Sequence, residues 1–264
     1  MRVPVVAFGG DTEAMPFTVS HAAAVLPMGR RLSASALVIG AMLPDVPLYL
    51  PSPFGLVLSH TVVGALTVNL LMGLLLFVVW HGFFARPADW FAPSAIRRRL
   101  TPAQQPGLRR RLNSPARIAV VLLSLIVGQA THLLLDQFTH TGTLVTANVA
   151  FLRADIAGVP VPDVAQVALS VVGLVLMALW AVRWYRTAPT VTLQREPSRL
   201  GKIAARVTVM GGAALALLVT ASAMAGSPAL QVVVQVAVAT VVAAGVASIL
   251  VAMVWHLNRG MADG

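Results

Sequence analysis

Five apolar runs, each long enough to cross a lipid bilayer as a helix, decide what this chain can fold into. A helix needs about 20 residues to span the roughly 30 Å hydrocarbon core of a membrane. The runs lie at 57–80, 118–139, 164–183, 203–225 and 229–255. Hydrophobic residues make up 58% of the chain and charged residues 11%, whereas a soluble domain has about half and about a quarter. We therefore predict an all-α, polytopic helical membrane protein with about five transmembrane helices.

The basic residues lie in the connections between these runs. Eight arginines fall in 86–117 and four basic residues in 186–202, whereas Arg153 is the one basic residue of 141–160. Because cytoplasmic loops carry an excess of lysine and arginine, we predict that the first two segments are cytoplasmic and that 141–160 is outside. The net charge of +10 is explained by this topology. Membrane lipids, and no nucleic acid, are the partners it indicates.

Ionisable residues interrupt the end of the second run. His132, Asp136 and His140 follow one another at a spacing of four, which puts all three on one face of a helix. Even the lenient insertion scales assign about 2.5–3.5 kcal/mol to a charge at the centre of a membrane helix, so a compensating interaction is expected. The predicted topology brings polar groups of the other runs to the same outer face: His60, Gln166 and Ser170.

The N-terminal stretch contains two shorter apolar arms, 17–28 and 33–44, joined near Gly29. Each arm is roughly 18–20 Å long as a helix, which is too short to span a bilayer. We predict an antiparallel helical hairpin that brings His21, near its start, beside Asp45, at its end. Prolines on both sides of Asp45 should end the helix there.

Together these groups form a candidate metal site at the outer face. Its six predicted ligands are His21, Asp45, His60, His132, Asp136 and His140. Imidazole and carboxylate without sulfur suit Zn²⁺ in an open catalytic site, or Mn²⁺ or Fe²⁺, and the chain has no cysteine. An ion would also hold the aspartates ionised and the histidines neutral. A carboxylate not fully used in ligation, Asp45 or Asp136, could accept a proton from water and is the candidate catalytic group.

Other interpretations of the same residues remain open. A single membrane histidine is more often a hydrogen-bonded packing residue than a ligand, and a structural metal or polar site needs the same groups as an enzyme. A transporter is the weaker alternative, because it would place polar groups through the depth of the bilayer and in paired repeats.

Four sequence motifs occur in a fixed order: "MPFTVSHAAAVLP", "ALVIGAMLPDVP", "SHTVVG" and "THLLLDQFTHTG". With them the chain resembles a family of bacterial integral membrane proteins known as domain of unknown function 4184, from Met15 to about Leu174. The resemblance implies a location in the bacterial cytoplasmic (inner) membrane and a dispensable extension at 1–14. The expected organisation is a motif-bearing membrane domain at 15–185, a cytoplasmic connection at 186–202 and a C-terminal two-helix hairpin at 203–258.

The order H…PD…(S/T)H…HxxxD is also distantly similar to YdjM-type membrane-bound metal-dependent hydrolases and to the zinc-dependent phospholipase C and single-strand nuclease superfamily. That similarity implies one zinc shared by Asp45, His60, His132 and Asp136. It implies that His21 helps to hold another zinc, bridged by Asp136, and places His140 near a further ligand position. The chain lacks a later HxxxE, so one or two ions are expected rather than three.

The function expected from this similarity is a membrane-embedded, metal-dependent hydrolase with its site at the extracytoplasmic face. Lipid head groups lie at that depth, so a phosphodiester or ester of a lipid or cell-envelope precursor is the expected substrate. The alternative is a non-catalytic integral membrane protein with a structural metal or polar site.

Overall fold

The fold is nearly all-α. The computed structural model describes residues 18–49, 55–100, 106–193, 242–243 and 245–257. They belong to two compact units, one formed by 1–75 with 114–182 and the other by 76–113 with 183–264. The predicted segments 1–14 and 203–225 lie outside the described residues, as does most of 229–255.

The helices of the N-terminal half are α1 Ala22–Val25, α2 Ala34–Met42, α3 Val46–Tyr49, α4 Gly55–Ser59, α5 Val62–Leu66, α6 Val68–Val79, α7 Ala85–Phe91 and α8 Ser94–Arg97. A π-helical turn, Trp80–Phe84, joins α6 to α7. Those that follow are α9 Leu108–Arg111, α10 Pro115–Thr139, α11 Leu144–Asn148, α12 Val161–Thr187 and α13 Gly245–Leu257. Turns of 3₁₀-helix lie at Thr18–His21, Leu26–Arg30, Leu43–Asp45 and Ala150–Arg153, and the strands β1 Asp155–Ile156 and β2 Val159–Pro160 pair in an antiparallel hairpin.

Three stretches of the described chain are long and apolar enough to cross a membrane: Val68–Phe91, Pro115–Asn148 and Val161–Thr187. The second and third contain the predicted spans 118–139 and 164–183. The described part of the predicted fifth span lies mainly in α13, an apolar helix that is shorter than a full span. The structure thus supports a helical membrane protein, and the predicted number of five spans stays a prediction.

The predicted first span, 57–80, is wrong in its bounds, because the long helix begins at Val68. The chain before it is broken into α4 and α5 at His60 and Thr61. Thr61 caps α5 by accepting a hydrogen bond from the Gly64 amide, and its hydroxyl donates to the Leu58 carbonyl. Such local bonds from side chain to backbone compete with a continuous helix, and hydrophobic periodicity does not show them.

The first unit contains the predicted N-terminal hairpin. Its first arm combines 3₁₀ turns with the short α1, the chain turns at 31–33, and α2 returns along α10. The apolar core between the arms includes Val25, Leu37 and Ala41, all fully buried. The second arm departs from the prediction, since the regular helix ends at Met42 and Asp45 lies in a 3₁₀ turn that leads into α3.

The long helix α10 begins at an N-cap and ends one residue before His140. The Ser114 side chain accepts from the Arg117 amide, and Pro115 occupies the first helical turn, which suits its fixed φ and missing N–H. His140 is the extended C-cap. His140 thus lies just outside the helix, but its Nδ1 atom is 3.7 Å from Asp136 Oδ1, so its side chain lies on the same side as Asp136, as predicted.

The second unit contains the end of α12 and the arginine-rich segment. The Arg99 guanidinium lies 3.8 Å from the centre of the Tyr185 ring, and its Nε donates to the Tyr185 carbonyl. The His256 imidazole lies 3.1 Å from the Phe83 carbonyl and stacks on the Phe83 ring. Both contacts are packing interactions within this unit.

Candidate metal centre

The buried face of α10 carries the first two site residues. His132 is 1% exposed and Asp136 is 6% exposed, one helical turn apart. The His132 Nε2 atom lies 3.1 Å from Asp136 Oδ2. Their spacing of four along a helix makes this approach possible without any help from the loops.

A backbone carbonyl of the hairpin orients the His132 ring. Its Nδ1 lies 2.8 Å from the carbonyl oxygen of Ala41. A carbonyl can only accept, so Nδ1 carries the proton and donates it. In the neutral ring Nε2 then bears the lone pair, and it points toward the carboxylates. Bonds of this kind from the distal nitrogen are typical of metal-bound histidines.

The break between α4 and α5 presents His60 in the same way. The His60 Nδ1 atom lies 3.0 Å from the Leu56 carbonyl oxygen, so Nε2 is again the lone-pair side. The preceding Ser59 hydroxyl lies 2.7 Å from both the Pro44 and the Leu56 carbonyl oxygens and can donate to one of them at a time. Ser59 thereby ties the His60 turn to the corner that carries Asp45.

Four ligand atoms from these elements converge on one point. His60 Nε2 lies 3.4 Å from Asp45 Oδ1 and 3.6 Å from Asp136 Oδ2. His132 Nε2 lies 3.5 Å from Asp45 Oδ1 and 3.1 Å from Asp136 Oδ2. Ligand atoms in a tetrahedron with bonds of about 2.0–2.1 Å stand about 3.3–3.4 Å apart. The observed spacings match that geometry.

The hydrogen-bonding state of these atoms fits a cation between them. Both carboxylate oxygens of Asp136 are buried and have no hydrogen-bond partner among the described residues. The nearby Nε2 atom of His132 bears a lone pair in the neutral tautomer described above and does not donate. Two imidazole lone pairs that face two carboxylates would repel one another, because all four atoms are acceptors. Either the imidazoles are protonated or a positive ion lies among the four atoms, and the donor set fits a divalent metal.

A second group adjoins the first on the side of His21. The His21 ring stacks on the His132 ring with centroids 4.1 Å apart, and ligand atoms of His21, His132 and Asp136 lie within 4.8 Å of one another. The His21 Nδ1 atom is buried without a hydrogen-bond partner in the described chain. Burial lowers the pKa of His21 to about 4, which favours the neutral ring that a metal ligand needs. His140 Nδ1 lies 3.7 Å from Asp136 Oδ1.

The model of a protein family described as a domain of unknown function (DUF4184) matches residues 15–255. The chain belongs to the DUF4184 family. The match includes all six predicted ligands, starts at the same residue as the resemblance seen in the four motifs, and extends beyond Leu174. Neither a curated protein nor a solved structure matches the chain.

In this DUF4184 protein the histidines of the centre differ in their exposure. The side chain of His132 is 1% exposed, whereas those of His60 and His140 are 14% and 19% exposed. An ion or substrate can therefore approach from the side of His60 and His140.

The structure brings five of the six predicted residues into the two ligand groups: His21, Asp45, His60, His132 and Asp136. The sixth, His140, lies at the edge, beside Asp136 and with its Nδ1 3.1 Å from the Thr139 hydroxyl. The sequence reasoning missed the residues that hold the ligands in place: Gly40, Ala41, Ser59 and Gly128. The two glycines, set in otherwise apolar helices, were a signal that could have been used, because small residues mark close helix contacts in membranes. Ala41 contacts His132 through its backbone carbonyl, so the type of side chain at this position does not reveal its role.

Proposed function

We propose that this DUF4184 protein is a membrane-embedded, metal-dependent hydrolase with its metal centre at the extracytoplasmic face. The observation that carries the proposal is that the Nε2 atoms of the half-buried His60 and the buried His132 each lie within 3.6 Å of a carboxylate oxygen of both Asp45 and Asp136. In both histidines the Nδ1 proton is donated to a backbone carbonyl, of Ala41 for His132 and of Leu56 for His60, so Nε2 has no proton to donate to the carboxylates. Such a cluster is costly in a membrane protein unless a cation occupies it.

Zinc is the ion that we propose for the first position. Nitrogen and oxygen ligands at near-tetrahedral spacing suit Zn²⁺, and no thiolate is present. The ligand atoms would be His60 Nε2, His132 Nε2, Asp45 Oδ1 and Asp136 Oδ2. Each of the two nitrogens lies 3.1–3.6 Å from each of the two oxygens. Four protein ligands around one zinc are, however, typical of a closed structural site.

A second ion would provide the open position that catalysis needs. His132 can serve only one ion, since its other nitrogen is bonded to Ala41. The second position would therefore be formed by His21, which lies close to Asp136, by the Oδ1 atom of Asp136, and by His140, whose Nδ1 is 3.7 Å from that atom. Three protein groups leave room for water or substrate. If Asp136 held both ions, this would account for the absence of a hydrogen-bond donor to either of its oxygens within the described chain.

The residues around the two positions would have different roles in hydrolysis. Divalent ions of this kind lower the pKa of a coordinated water and polarise a phosphoryl or carbonyl oxygen. The Oδ2 atom of Asp45, which is not a ligand in this arrangement, would accept the proton that water loses. His132 and His60 are fixed by their backbone bonds and orient the site. The more exposed side at His60 and His140 admits the substrate.

Similarity of motif order to YdjM-type hydrolases and to the phospholipase C and nuclease superfamily supports hydrolysis of an ester or phosphodiester. With the arginine-rich segments 86–117 and 186–202 placed in the cytoplasm, the centre lies at the outer surface of the bacterial inner membrane. Membrane lipids and lipid-linked envelope precursors are the ester-bearing molecules at that depth, and we propose one of them as the substrate.

Metal stoichiometry and hydrolysis, measured on the same purified protein, test the proposal. We expect two zinc ions per chain, both lost in Asp136→Ala and both kept in Asp155→Ala, which removes an exposed carboxylate of the β-hairpin. His21→Ala and His140→Ala should each lose one ion and abolish cleavage of a chromogenic phosphodiester or ester. One ion per chain, full occupancy in His21→Ala and no hydrolysis would instead establish the structural metal site.

A further inference from the structure

A narrow groove runs from the candidate metal centre along the surface of α12. It has a volume of about 170 Å³ and lies between the first hairpin arm, α10 and α12. His21 and Thr139 line it at the end next to the metal centre. The same His21 ring that stacks on His132 thus forms part of the groove wall.

The polarity of the groove changes along α12. Gln166 and Ser170 line it and are buried, at 5% and 4% exposure, whereas Leu169, Val172 and Leu176 line it and are 41–52% exposed. Gln166 and Leu176 are ten residues apart, which is about 15 Å along a helix. That distance is about half of the hydrocarbon thickness of a bilayer. In the predicted orientation the groove is therefore polar near the membrane surface and apolar toward the bilayer centre, and among the described residues nothing covers its exposed leucines and valine.

A backbone contact fixes the spacing of two of its walls. A β-carbon at Gly173 would lie only 2.7 Å from the carbonyl oxygen of Ser20 and 2.9 Å from the Ser20 β-carbon. The first hairpin arm and α12 therefore touch through glycine at this point. The groove is a preformed space between packed elements, as ligand sites usually are.

We propose that this groove binds the single alkyl chain of an amphiphilic substrate whose ester or phosphate head lies at the metal centre. The inference rests on the proposed function and specifies the substrate class. A protein helix, about 10–12 Å across with its side chains, would need far more space than the roughly 170 Å³ of the groove. An extended alkyl chain is narrow, is available from the surrounding bilayer, and would place its polar end beside His21 and its tail beside Leu176.

The test uses the full-length protein in lipid nanodiscs with hexadecyl phosphate carrying a diazirine at the tail end. Illumination and mass spectrometry map the labelled residues, and unlabelled hexadecyl phosphate or butyl phosphate is added as competitor. We expect saturable labelling of α12 around Leu176, where the tail end would lie, that hexadecyl phosphate, but not butyl phosphate, suppresses. Labelling by bulk lipid contact does not saturate.

Two tryptophan variants on the same helix separate the groove from the rest of the lipid-facing surface. Val172→Trp fills the groove, and Val171→Trp changes an adjacent exposed position that does not line it. Displacing about two methylene groups should weaken saturable labelling about tenfold in Val172→Trp, with no change in Val171→Trp. If Val172→Trp does not fold, Ala24→Leu fills the opposite wall and should show the same loss.

The outcomes separate the groove from the proposed function. Saturable labelling that Val172→Trp removes, in a protein that holds no metal and hydrolyses no ester, would support the groove and reject the hydrolase. Labelling that does not saturate, or equal labelling of Val172→Trp and Val171→Trp, would contradict the proposal that the groove binds an alkyl chain. In that case metal binding and hydrolysis still decide the proposed function by themselves.

Discussion

Gly128 of α10 faces Gly40 of α2 at a point where the two helix backbones touch. A β-carbon on Gly128 would lie 2.7 Å from the Ala41 amide nitrogen and would overlap the Leu37 carbonyl oxygen. A β-carbon on Gly40 would likewise overlap the Leu125 carbonyl oxygen. This approach brings the Ala41 carbonyl within reach of His132, one turn after Gly128, and so sets the orientation of the His132 ring, a proposed metal ligand.

Gly128→Ala is expected to damage both the packing and the metal centre. The added methyl group meets backbone atoms, which cannot rotate away, so overpacking should cost about 1–3 kcal/mol. It should also lengthen the bond from His132 to Ala41. Thermal unfolding and zinc content of the purified protein measure the two effects. Gly245→Ala, where a β-carbon has no neighbour within 4 Å, is the control, and equal behaviour of the two variants would contradict the packing role.

The four ligands of the first ion should act as a unit. Asp45→Ala, His60→Ala and His132→Ala should each lose most of the zinc affinity, and double variants should lose little more, because groups that share one partner are not additive. His81→Ala and His256→Ala should keep full affinity. Competition with a zinc chelator measures these affinities. Small, additive losses, or a similar loss in His256→Ala, would show separate packing residues instead of one site.

Ser59→Ala should weaken metal binding although Ser59 is not a ligand. Its hydroxyl is bonded to the corner before Asp45 and lies 3.1 Å from His60 Nδ1, so its loss frees the His60 turn. Outer-shell residues of metal sites are typically worth about 10–100-fold in affinity. The chelator competition applies here too, with the exposed Ser94→Ala as control. Unchanged affinity in Ser59→Ala would mean that the Leu56 carbonyl alone orients His60.

The predicted topology can be tested with single cysteines, since the chain has none. An impermeant thiol reagent added to intact cells should label Ala154→Cys in the outer loop. It should not label Ala103→Cys or Ser198→Cys until the cells are permeabilised. Labelling of the two arginine-rich segments in intact cells would place the metal centre on the cytoplasmic side.

Deletion of residues 1–14 should leave expression and zinc content unchanged. These residues precede the family match, which starts at residue 15, and none of them is assigned to the site. Zinc content of the shortened protein, beside that of the full chain, is the measurement. Lost zinc would assign a role to Asp11 or Glu13.

Much of the architecture was predictable from composition and periodicity. The runs that became α10 and α12 are apolar over more than twenty residues, and length alone determines whether a helix can span a bilayer. The His132–Asp136 pair was predictable for the same kind of reason, because residues four apart on one helix are neighbours in any environment. The hairpin at 18–45 followed from two apolar arms joined by a polar turn.

The departures arose where short-range hydrogen bonds outweigh periodicity. Ser59 and Thr61 bond to nearby carbonyls and break the helix at His60, and the chain leaves α10 before His140. No apolar pattern shows such a break, since the residues on either side stay hydrophobic. The break is what allows the His60 ring to point toward Asp45.

By itself the sequence determined that the chain forms apolar helices, that these carry histidines and aspartates where charge is costly, and which residues those are. Tertiary structure alone decided that Asp45, His60, His132 and Asp136 meet with ligand atoms 3.1–3.6 Å apart. The physical reason is that the meeting depends on contacts between backbones distant in sequence. Helices α2 and α10 approach through two glycines, and the Ala41 carbonyl determines which nitrogen of His132 faces the site.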